Sequence, residues 1–188
     1  SIEHVKVFSR NPDNRRKFAD IYGPQFGIDI VPVDSPDPLL DDVDVVLCAT
    51  NTNVELFDGN RLVAGQHVTG IIGSNKQLVE GGFLSKPRRE IDDNTAVKAD
   101  VIVTNLKESM VTEEQGDLYG PIQAGLIGID DVYELGDLAT GGHPGRTSDD
   151  QITYHKNNNG TGASEMAIAM TAYRRARDEG RGTEIDLD

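Results

Sequence analysis

Residues 43–50 read VDVVLCAT and residues 66–74 read QHVTGIIGS, two nearly continuous runs of apolar and β-branched residues. Such runs are typical of central strands in a parallel sheet that is covered on both faces. Residues 99–105, ADVIVTN, form a third run of the same kind. Helical or turn segments separate the three runs, so the repeated order of strand, helix and strand predicts an open α/β sheet with right-handed crossovers.

The chain begins with another predicted strand, HVKVFS at residues 4–9, followed by a helix. Asn11 can cap this helix, with Pro12 at its first position and Gly23 just beyond its end. A strand at residues 27–35 follows, and the prolines after it permit only a short helical turn. The strand and helix at residues 4–22 resemble the second strand of a dinucleotide-binding sheet and the helix after it, and no first strand comes before them in this sequence.

The composition of the chain changes from Lys107 onward. Residues 107–125 and 129–142 are acidic, interrupted by glycines and predicted to be helical, and QITYHKN at residues 151–157 is a predicted strand. The last predicted helix, residues 163–180, places Met166, Ala169, Met170 and Tyr173 on one face. That face is predicted to be core or a dimer surface.

Charge and composition exclude several classes of partner. The formal charge of −14 disfavours nucleic acids and anionic membrane surfaces, because like charges repel. No apolar run approaches the roughly 18 residues of a membrane span, and the first residues do not show a charged segment followed by an apolar stretch. The single cysteine, Cys48, lies in an apolar run and is expected to be a buried, inert thiol, which fits a soluble protein of the reducing cytoplasm. One cysteine and four scattered histidines provide no zinc-ligand spacing, so no metal site is expected.

Candidate site residues lie where predicted strands end, because ligands of doubly wound sheets bind at the carboxyl ends of the strands. Three such ends carry small, amide or hydroxyl-bearing residues that allow a ribose or nicotinamide to approach the backbone and supply hydrogen bonds. They are Ser9-Arg10-Asn11, Ala49-Thr50-Asn51-Thr52 and Gly73-Ser74-Asn75. A phosphate-binding glycine loop would normally precede all three, and this sequence does not contain it there.

Taken together and in order, the motifs resemble the carboxyl-terminal half of the ornithine cyclodeaminase and mu-crystallin family. The resemblance covers nearly all of the chain, and its most specific part is GRTSDDQIT at residues 145–153. The other motifs that carry it are VFSRNPDNRRKFA (7–19), VDVVLCATNT (43–52), HVTGIIGSN (67–75), REID (89–92), ADVIVTN (99–105) and GTEI (182–185).

The resemblance implies an NAD(P)-binding Rossmann domain inserted in a second domain, which binds substrate and forms a homodimer. Residues 1–128 are then the Rossmann part, beginning at its second strand, and residues 129–188 belong to the substrate and dimerisation domain. The first Rossmann strand, its glycine loop and the amino-terminal half of the family fold are expected to lie outside this sequence.

The implied activity is hydride transfer between a nicotinamide cofactor and the α carbon of an amino acid or its imine. Ser9, Arg10 and Asn11 are expected to bind the adenosine ribose or its phosphate. Ala49, Thr50 and Thr52 are expected to line the nicotinamide ribose, and Gly73 and Ser74 to lie beside the nicotinamide.

Asn75 is the expected catalytic residue, and it occupies a position where the family typically has an aspartate that faces the substrate. An asparagine cannot accept a proton, which favours an imine reductase or amino acid dehydrogenase over a cyclodeaminase. Two alternatives stay open: an ornithine cyclodeaminase, which loses ammonia with its NAD bound, and a non-catalytic cofactor-binding subunit.

The end of the first strand also predicts the cofactor. NAD-specific sites have an Asp or Glu there, which accepts hydrogen bonds from both ribose hydroxyls. Here the strand end is Ser9-Arg10-Asn11, with no acid from there until Asp13, and Ser9 and Arg10 can bind a 2′-phosphate. NADP(H) is therefore predicted to be favoured over NAD(H).

Overall fold

The described part of the chain contains seven strands and seven α-helices. The computed structural model describes residues 2–74, 76–157, 162–183 and 185. The strands are β1 His4–Val7, β2 Asp29–Pro32, β3 Val45–Cys48, β4 His67–Gly70, β5 Val101–Thr104, β6 Val132–Glu134 and β7 Thr153–Lys156. The helices are α1 Pro12–Phe26, α2 Lys76–Glu80, α3 Asp93–Lys98, α4 Lys107–Thr112, α5 Gly116–Gln123, α6 Leu135–Thr140 and α7 Gly162–Asp178. Short 3₁₀ helices occupy Asp37–Leu40, Gly59–Arg61 and Ile129–Asp131.

All strand pairs are parallel, and they form two sheets. One sheet contains β1 and β2, and the other has the order β3-β4-β7-β5-β6. The late strand β7 lies between β4 and β5, so that Tyr154 is opposite Val68 on one side and Ile102 on the other. The predicted α/β class with a parallel sheet is confirmed.

Strands β6 and β7 both follow residue 128, where the sequence places a domain boundary. In the structure they pair with β5, and β7 pairs with β4 as well. The two strands are therefore continuous with the sheet that β3, β4 and β5 form. The division of the chain at this residue stays a prediction.

Helix α1 is longer than its sequence predicts. Asn11 caps it as expected, since its side chain accepts a hydrogen bond from the amide of Asp13 at 2.9 Å. Gly23, however, lies inside the helix, which continues to Phe26 and ends at Gly27. Gly27 has φ 65°, a left-handed conformation that glycine adopts without strain, and its amide donates to the carbonyl of Gly23 at 2.9 Å. The second glycine, and not the first, ends the helix.

Strand β3 differs from the covered central strand that its sequence predicts. It is an edge strand, and only one face of it is buried. Val46 and Cys48 point into the core, whereas Val45 and Leu47 are 59% and 67% exposed. A continuous apolar run shows that a strand is apolar on both sides, and it does not show which neighbours cover them.

A second difference concerns residues 129–142, which were predicted to be helical. The structure has a 3₁₀ turn, then strand β6, and only then the short helix α6. Val132 of β6 is fully buried beside Ile102 of β5. Pairing with an existing strand has overridden the local helical preference.

The core lies on one face of the five-stranded sheet. Residues of β3, β4, β5, β6 and β7 meet apolar side chains of α3, α4 and α5 there. The innermost members are Val68, Ile91, Met110, Leu118, Val132 and Tyr154, each without exposed surface. Cys48 is buried in the same cluster, as predicted.

Helix α7 makes no comparable contribution to this core. Its apolar side chains are exposed, with Met166 at 62%, Ile168 at 72% and Tyr173 at 53%. Of the two sequence-based alternatives, core and dimer surface, the first is wrong for this chain. Within the described residues, no helix has the length and apolar character required to cross a bilayer.

An ion pair is buried in the middle of this core. The Nζ of Lys156 lies 2.7 Å from Oδ2 of Asp117, and neither side chain has exposed surface. Lys156 also donates to the carbonyl of Ile72, so β7 is joined to both α5 and the end of β4. Burying two charges is tolerable only because each has partners.

Replacing Lys156 with Met removes the cation and leaves the carboxylate of Asp117 buried without it. We expect the free energy of unfolding to fall by about 3–5 kcal/mol, the usual result of breaking a buried pair. Urea denaturation followed by circular dichroism measures it. The double variant Lys156→Met with Asp117→Asn should recover part of the loss, because no unpaired charge remains. A loss below about 1 kcal/mol in the single variant would show that the pair does not stabilise the core.

Candidate functional site

The carboxyl ends of the five parallel strands lie along one edge of the sheet. Chain segments after β3, β4, β5 and β7 therefore meet there, although they come from distant parts of the sequence. Two of the three predicted groups, Ala49 to Thr52 and Gly73 to Ser74, lie at this edge because they directly follow β3 and β4. This is the position at which open α/β sheets bind ligands.

Glu90 connects the ends of β3 and β4. Its Oε2 accepts hydrogen bonds from the amide and the hydroxyl of Thr50, at 3.0 and 2.8 Å. Its Oε1 accepts from the amides of Ile71 and Ile72, at 2.8 and 2.9 Å. The side chain has no exposed surface, so four neutral donors replace its hydration.

Asp117 fixes the backbone of the segment that carries Glu90. Its Oδ1 accepts from the amides of Glu90 and Ile91 at 3.1 and 3.2 Å, while Oδ2 binds Lys156. The guanidinium of Arg89 lies 4.0 Å from the same carboxylate. The edge of the sheet thus contains a buried network with two carboxylates and one ammonium group, beside a half-buried guanidinium.

The network affects two further groups in the core. Burial raises the pKa of the Cys48 thiol, and the charges of Glu90 and Asp117 raise it further. Burial likewise raises the pKa of the Tyr154 hydroxyl, with Asp117 the next contributor. Both groups stay protonated near neutral pH, so neither is a nucleophile.

The residues after β3 are accessible at this edge. Ala49 and Thr50 are exposed, and Thr52 is half-buried. The hydroxyl of Thr50 donates to Glu90 and accepts from the amide of Thr52 at 3.3 Å. Its hydrogen is therefore committed to Glu90, and the surface that it presents to a ligand is its methyl group and backbone.

The residues after β4 turn towards the segment that joins α4 and α5. Ser74 is 1% exposed; its hydroxyl donates to the carbonyl of Glu113, and its amide donates to Oε1 of Gln115 at 3.3 Å. Gly73 is half-buried beside it. Asn75, the predicted catalytic residue, lies outside the described residues.

The third predicted group, Ser9 to Asn11, lies on the other sheet, at the end of β1. Asn11 is engaged as the cap of α1, while Arg10 is exposed. The carbonyl of Ser9 accepts a hydrogen bond at 2.9 Å from Arg15, a nearly buried residue that also pairs with Asp34 after β2. Arg15 thus joins the ends of β1 and β2, and the structure does not join this group to the one around Glu90 in a single sheet.

A second set of polar side chains lies on the open face of the sheet near the same edge. Nε2 of His155 lies 2.9 Å from Oδ1 of Asn105, whose Nδ2 donates to Oδ1 of Asn157 at 3.0 Å. Burial lowers the pKa of His155, so its imidazole is neutral at pH 7. This set offers hydrogen-bonding groups and no charge.

A cleft of about 560 Å³ opens beside the Glu90 network. Its walls carry both basic and acidic side chains together with an aromatic ring. They are Asn53, Val54, Glu55, Lys86, Pro87, Arg88, Arg89, Glu114, Gly116, Tyr119 and Gly120. Arg89 is engaged by Asp93 and Glu55, whereas the half-buried guanidinium of Arg88 has no ion-pair or hydrogen-bond partner among the residues the structure describes.

Sequence reasoning did not identify Glu90, Asp117 or Lys156 as site residues. Glu90 appeared only as a letter of the REID motif, and Lys156 only as part of a strand. A signal did exist for Lys156, because the alternation of β7 places it on the same face as the core residue Tyr154. A lysine on a buried strand face requires a buried anion.

Comparison with known proteins places this geometry in a family. The chain is 27% identical over 187 residues to the Δ1-pyrroline-2-carboxylate reductase of Bacillus cereus. The aligned region covers 99% of this chain and 54% of that relative. The structure of the Thermococcus litoralis enzyme of that name, in complex with NADH and L-proline, matches with a TM-score of 0.85 and 27% identity over 98% of this chain and 53% of that one. The iminosuccinate reductase of Paracoccus denitrificans, with NAD⁺, has the same fold, with a TM-score of 0.82, 24% identity and coverage of 98% and 52%.

The chain thus spans about half the length of the relatives it matches. The model of the ornithine cyclodeaminase/mu-crystallin family matches residues 1–180, almost the whole sequence. The resemblance found in the motifs is confirmed, and the chain belongs to the ornithine cyclodeaminase/mu-crystallin family.

Proposed function

We propose that this chain is the cofactor-binding part of an NAD(P)H-dependent imine reductase. The observation that carries the proposal is the match of 98% of the chain to the Thermococcus litoralis reductase, whose structure contains NADH and L-proline. The reaction is hydride transfer between the nicotinamide and the α carbon of an amino acid or its imine.

The residues at the carboxyl edge fit a nicotinamide cofactor. Ala49 and Gly73 leave the backbone after β3 and β4 open to close approach, and Glu90 holds both segments in place. Thr50 and Thr52 are proposed to line the nicotinamide ribose, with Gly73 and Ser74 beside the ring. The cofactor supplies the hydride, and the protein binds and orients it.

The cleft beside Glu90 is the proposed place for the substrate. Amino acids and their imines carry a carboxylate, and we assign its binding to the guanidinium of Arg88, a half-buried cation of the cleft, with the exposed Lys86 as a second cation there. The amide of Arg88 donates to the carbonyl of Ser74 at 2.9 Å, so this arginine is anchored beside the proposed nicotinamide position. Asn75, which follows Ser74 in the sequence, is proposed to face the substrate.

The activity is tested with the gene product that contains this chain. It should oxidise NADPH or NADH when Δ1-pyrroline-2-carboxylate or another cyclic imine carboxylate is added, which absorbance at the nicotinamide band measures. Ammonia release from ornithine without net change in that absorbance would identify a cyclodeaminase instead. Cofactor binding without turnover on a panel of imines, amino acids and keto acids would identify a binding subunit.

The proposed cofactor preference is NADP(H) over NAD(H). The similar solved structures contain NADH or NAD⁺, so this preference rests on the residues of this chain. Arg10 is exposed after the end of β1, where it can meet a 2′-phosphate, and no carboxylate lies between the end of β1 and Asp13. Arg15 lies behind it, fixed to the carbonyl of Ser9.

Replacing Arg10 with Ala should weaken NADPH binding selectively. Loss of a charged hydrogen bond to the 2′-phosphate is expected to cost about 1.5–3 kcal/mol, whereas NADH binding should change little. Fluorescence titration of both cofactors measures the two dissociation constants. Arg16→Ala is the matched control, because it removes an exposed arginine of α1 whose ion-pair partner among the described residues is Asp13. Equal weakening of both cofactors, or a wild-type preference for NADH, would contradict the assignment.

We also propose a homodimer and a cytoplasmic location. The exposed apolar side chains of α7, including Met166, Ile168 and Tyr173, support self-association because large apolar patches are rarely left in water. The single buried thiol, Cys48, is compatible with a reducing compartment.

A further inference from the structure

We propose that Glu90 is a positioning residue that shapes the cofactor site by fixing the backbone after β3 and β4. This inference rests on the proposed function, because it assigns a role within that cofactor site. Glu90 itself is fully buried, which removes it from direct contact with a ligand bound at the surface. It acts through the segments that start at Thr50 and Ile71.

The two oxygens of the Glu90 carboxylate bind different segments of the chain. Oε2 binds the amide and hydroxyl of Thr50, and Oε1 binds the amides of Ile71 and Ile72. A carboxylate has about four acceptor positions, and these four donors fill them. Each oxygen therefore holds one segment, and the rigid carboxylate sets the distance between them.

These backbone amides need a side-chain acceptor because the hydrogen-bonded pairing of β3 with β4 ends before them. The register of β3 and β4 stops at the pair Cys48 and Gly70, and beyond it the amides of Thr50 and Ile72 have no neighbouring strand to pair with. Ile72 is buried, and a buried backbone amide requires an acceptor, which the amide of the more exposed Thr50 shares. Glu90 provides it with a full negative charge, which makes the hydrogen bonds stronger than those of a neutral acceptor.

The position of Glu90 is itself determined by its surroundings. Its amide is held by Asp117 at 3.1 Å, and Asp117 is held by Lys156. Gly70 permits the close approach from the other side, because a Cβ there would lie 3.2 Å from Oε1 of Glu90 and 2.5 Å from Cδ1 of Ile91. Packing and hydrogen bonds therefore fix the side chain in one place, as positioning requires.

Asp92, two residues further along, provides a matched control. It is also a nearly buried carboxylate, and it accepts hydrogen bonds from the amide and hydroxyl of Thr95 at 3.0 and 2.7 Å and from the amide of Gly59 at 3.0 Å. Its partners are the start of α3 and a 3₁₀ turn, away from the ends of β3 and β4. Changing either carboxylate to a carboxamide alters one oxygen in a similar network.

The experiment compares Glu90→Gln with Asp92→Asn in the gene product that contains this chain. The glutamine amide group would face two donors, so one segment loses its acceptor while side-chain volume is kept. We expect both variants to lower the melting temperature. Only Glu90→Gln should raise the dissociation constant of the cofactor, by between about tenfold and a hundredfold, as small displacements of a binding group do.

Steady-state kinetics add a measurement that a loss of stability alone does not change. In Glu90→Gln the KM for the cofactor should rise more than kcat falls, whereas Asp92→Asn should leave both near the wild-type values. If Glu90→Gln does not fold, Glu90→Asp replaces it, since this variant keeps the charge but is too short to reach both segments.

Each outcome is decisive. Equal effects of the two variants on cofactor binding, or a dissociation constant for Glu90→Gln within twofold of wild type, would overturn the role of Glu90 while leaving the proposed function intact. A wild-type protein that binds no nicotinamide cofactor would overturn the proposed function, and the role of Glu90 with it.

Discussion

Two buried carboxylates, Glu90 and Asp117, connect the strands and helices of the larger sheet to one another. Each has lost its water and must be satisfied from within the protein. Glu90 is satisfied by amides at the ends of β3 and β4, and Asp117 by amides of the Glu90 segment and by Lys156. Five separate parts of the chain must therefore be in place together before both charges are tolerable: the ends of β3 and β4, the Glu90 segment, α5 and β7.

The position of β7 makes this arrangement possible. Because it lies between β4 and β5, its last residue, Lys156, reaches Asp117 and the carbonyl of Ile72 at the same edge of the sheet. A strand near the end of the sequence thus completes a sheet whose first strand, β3, lies about a hundred residues earlier. Contacts between residues so far apart in sequence form slowly, because they close long loops. The same strand carries His155 towards Asn105 on the open face.

Much of the local structure could be predicted from sequence because it depends on neighbouring residues. The cap of α1 at Asn11, the 3₁₀ turn after the prolines and the strand at β7 follow from side-chain type and periodicity over a few positions. The errors occurred where a distant partner decided the outcome. Residues 132–134 became a strand because β5 was available to pair with them, and β3 is exposed on one face because it lies at the edge of the sheet.

Apolar runs and short motifs were sufficient to predict the α/β class and the family, and they marked three strand ends as candidate ligand sites. The order of the strands and the convergence of Glu90, Asp117 and Lys156 became visible in the folded chain alone. Thr50 and Glu90 are 40 residues apart, and Lys156 follows Asp117 by 39. Hydrogen bonds across such separations depend on which strands become neighbours. The choice of neighbours depends on burial of the whole face of the sheet, and a local sequence pattern does not contain it.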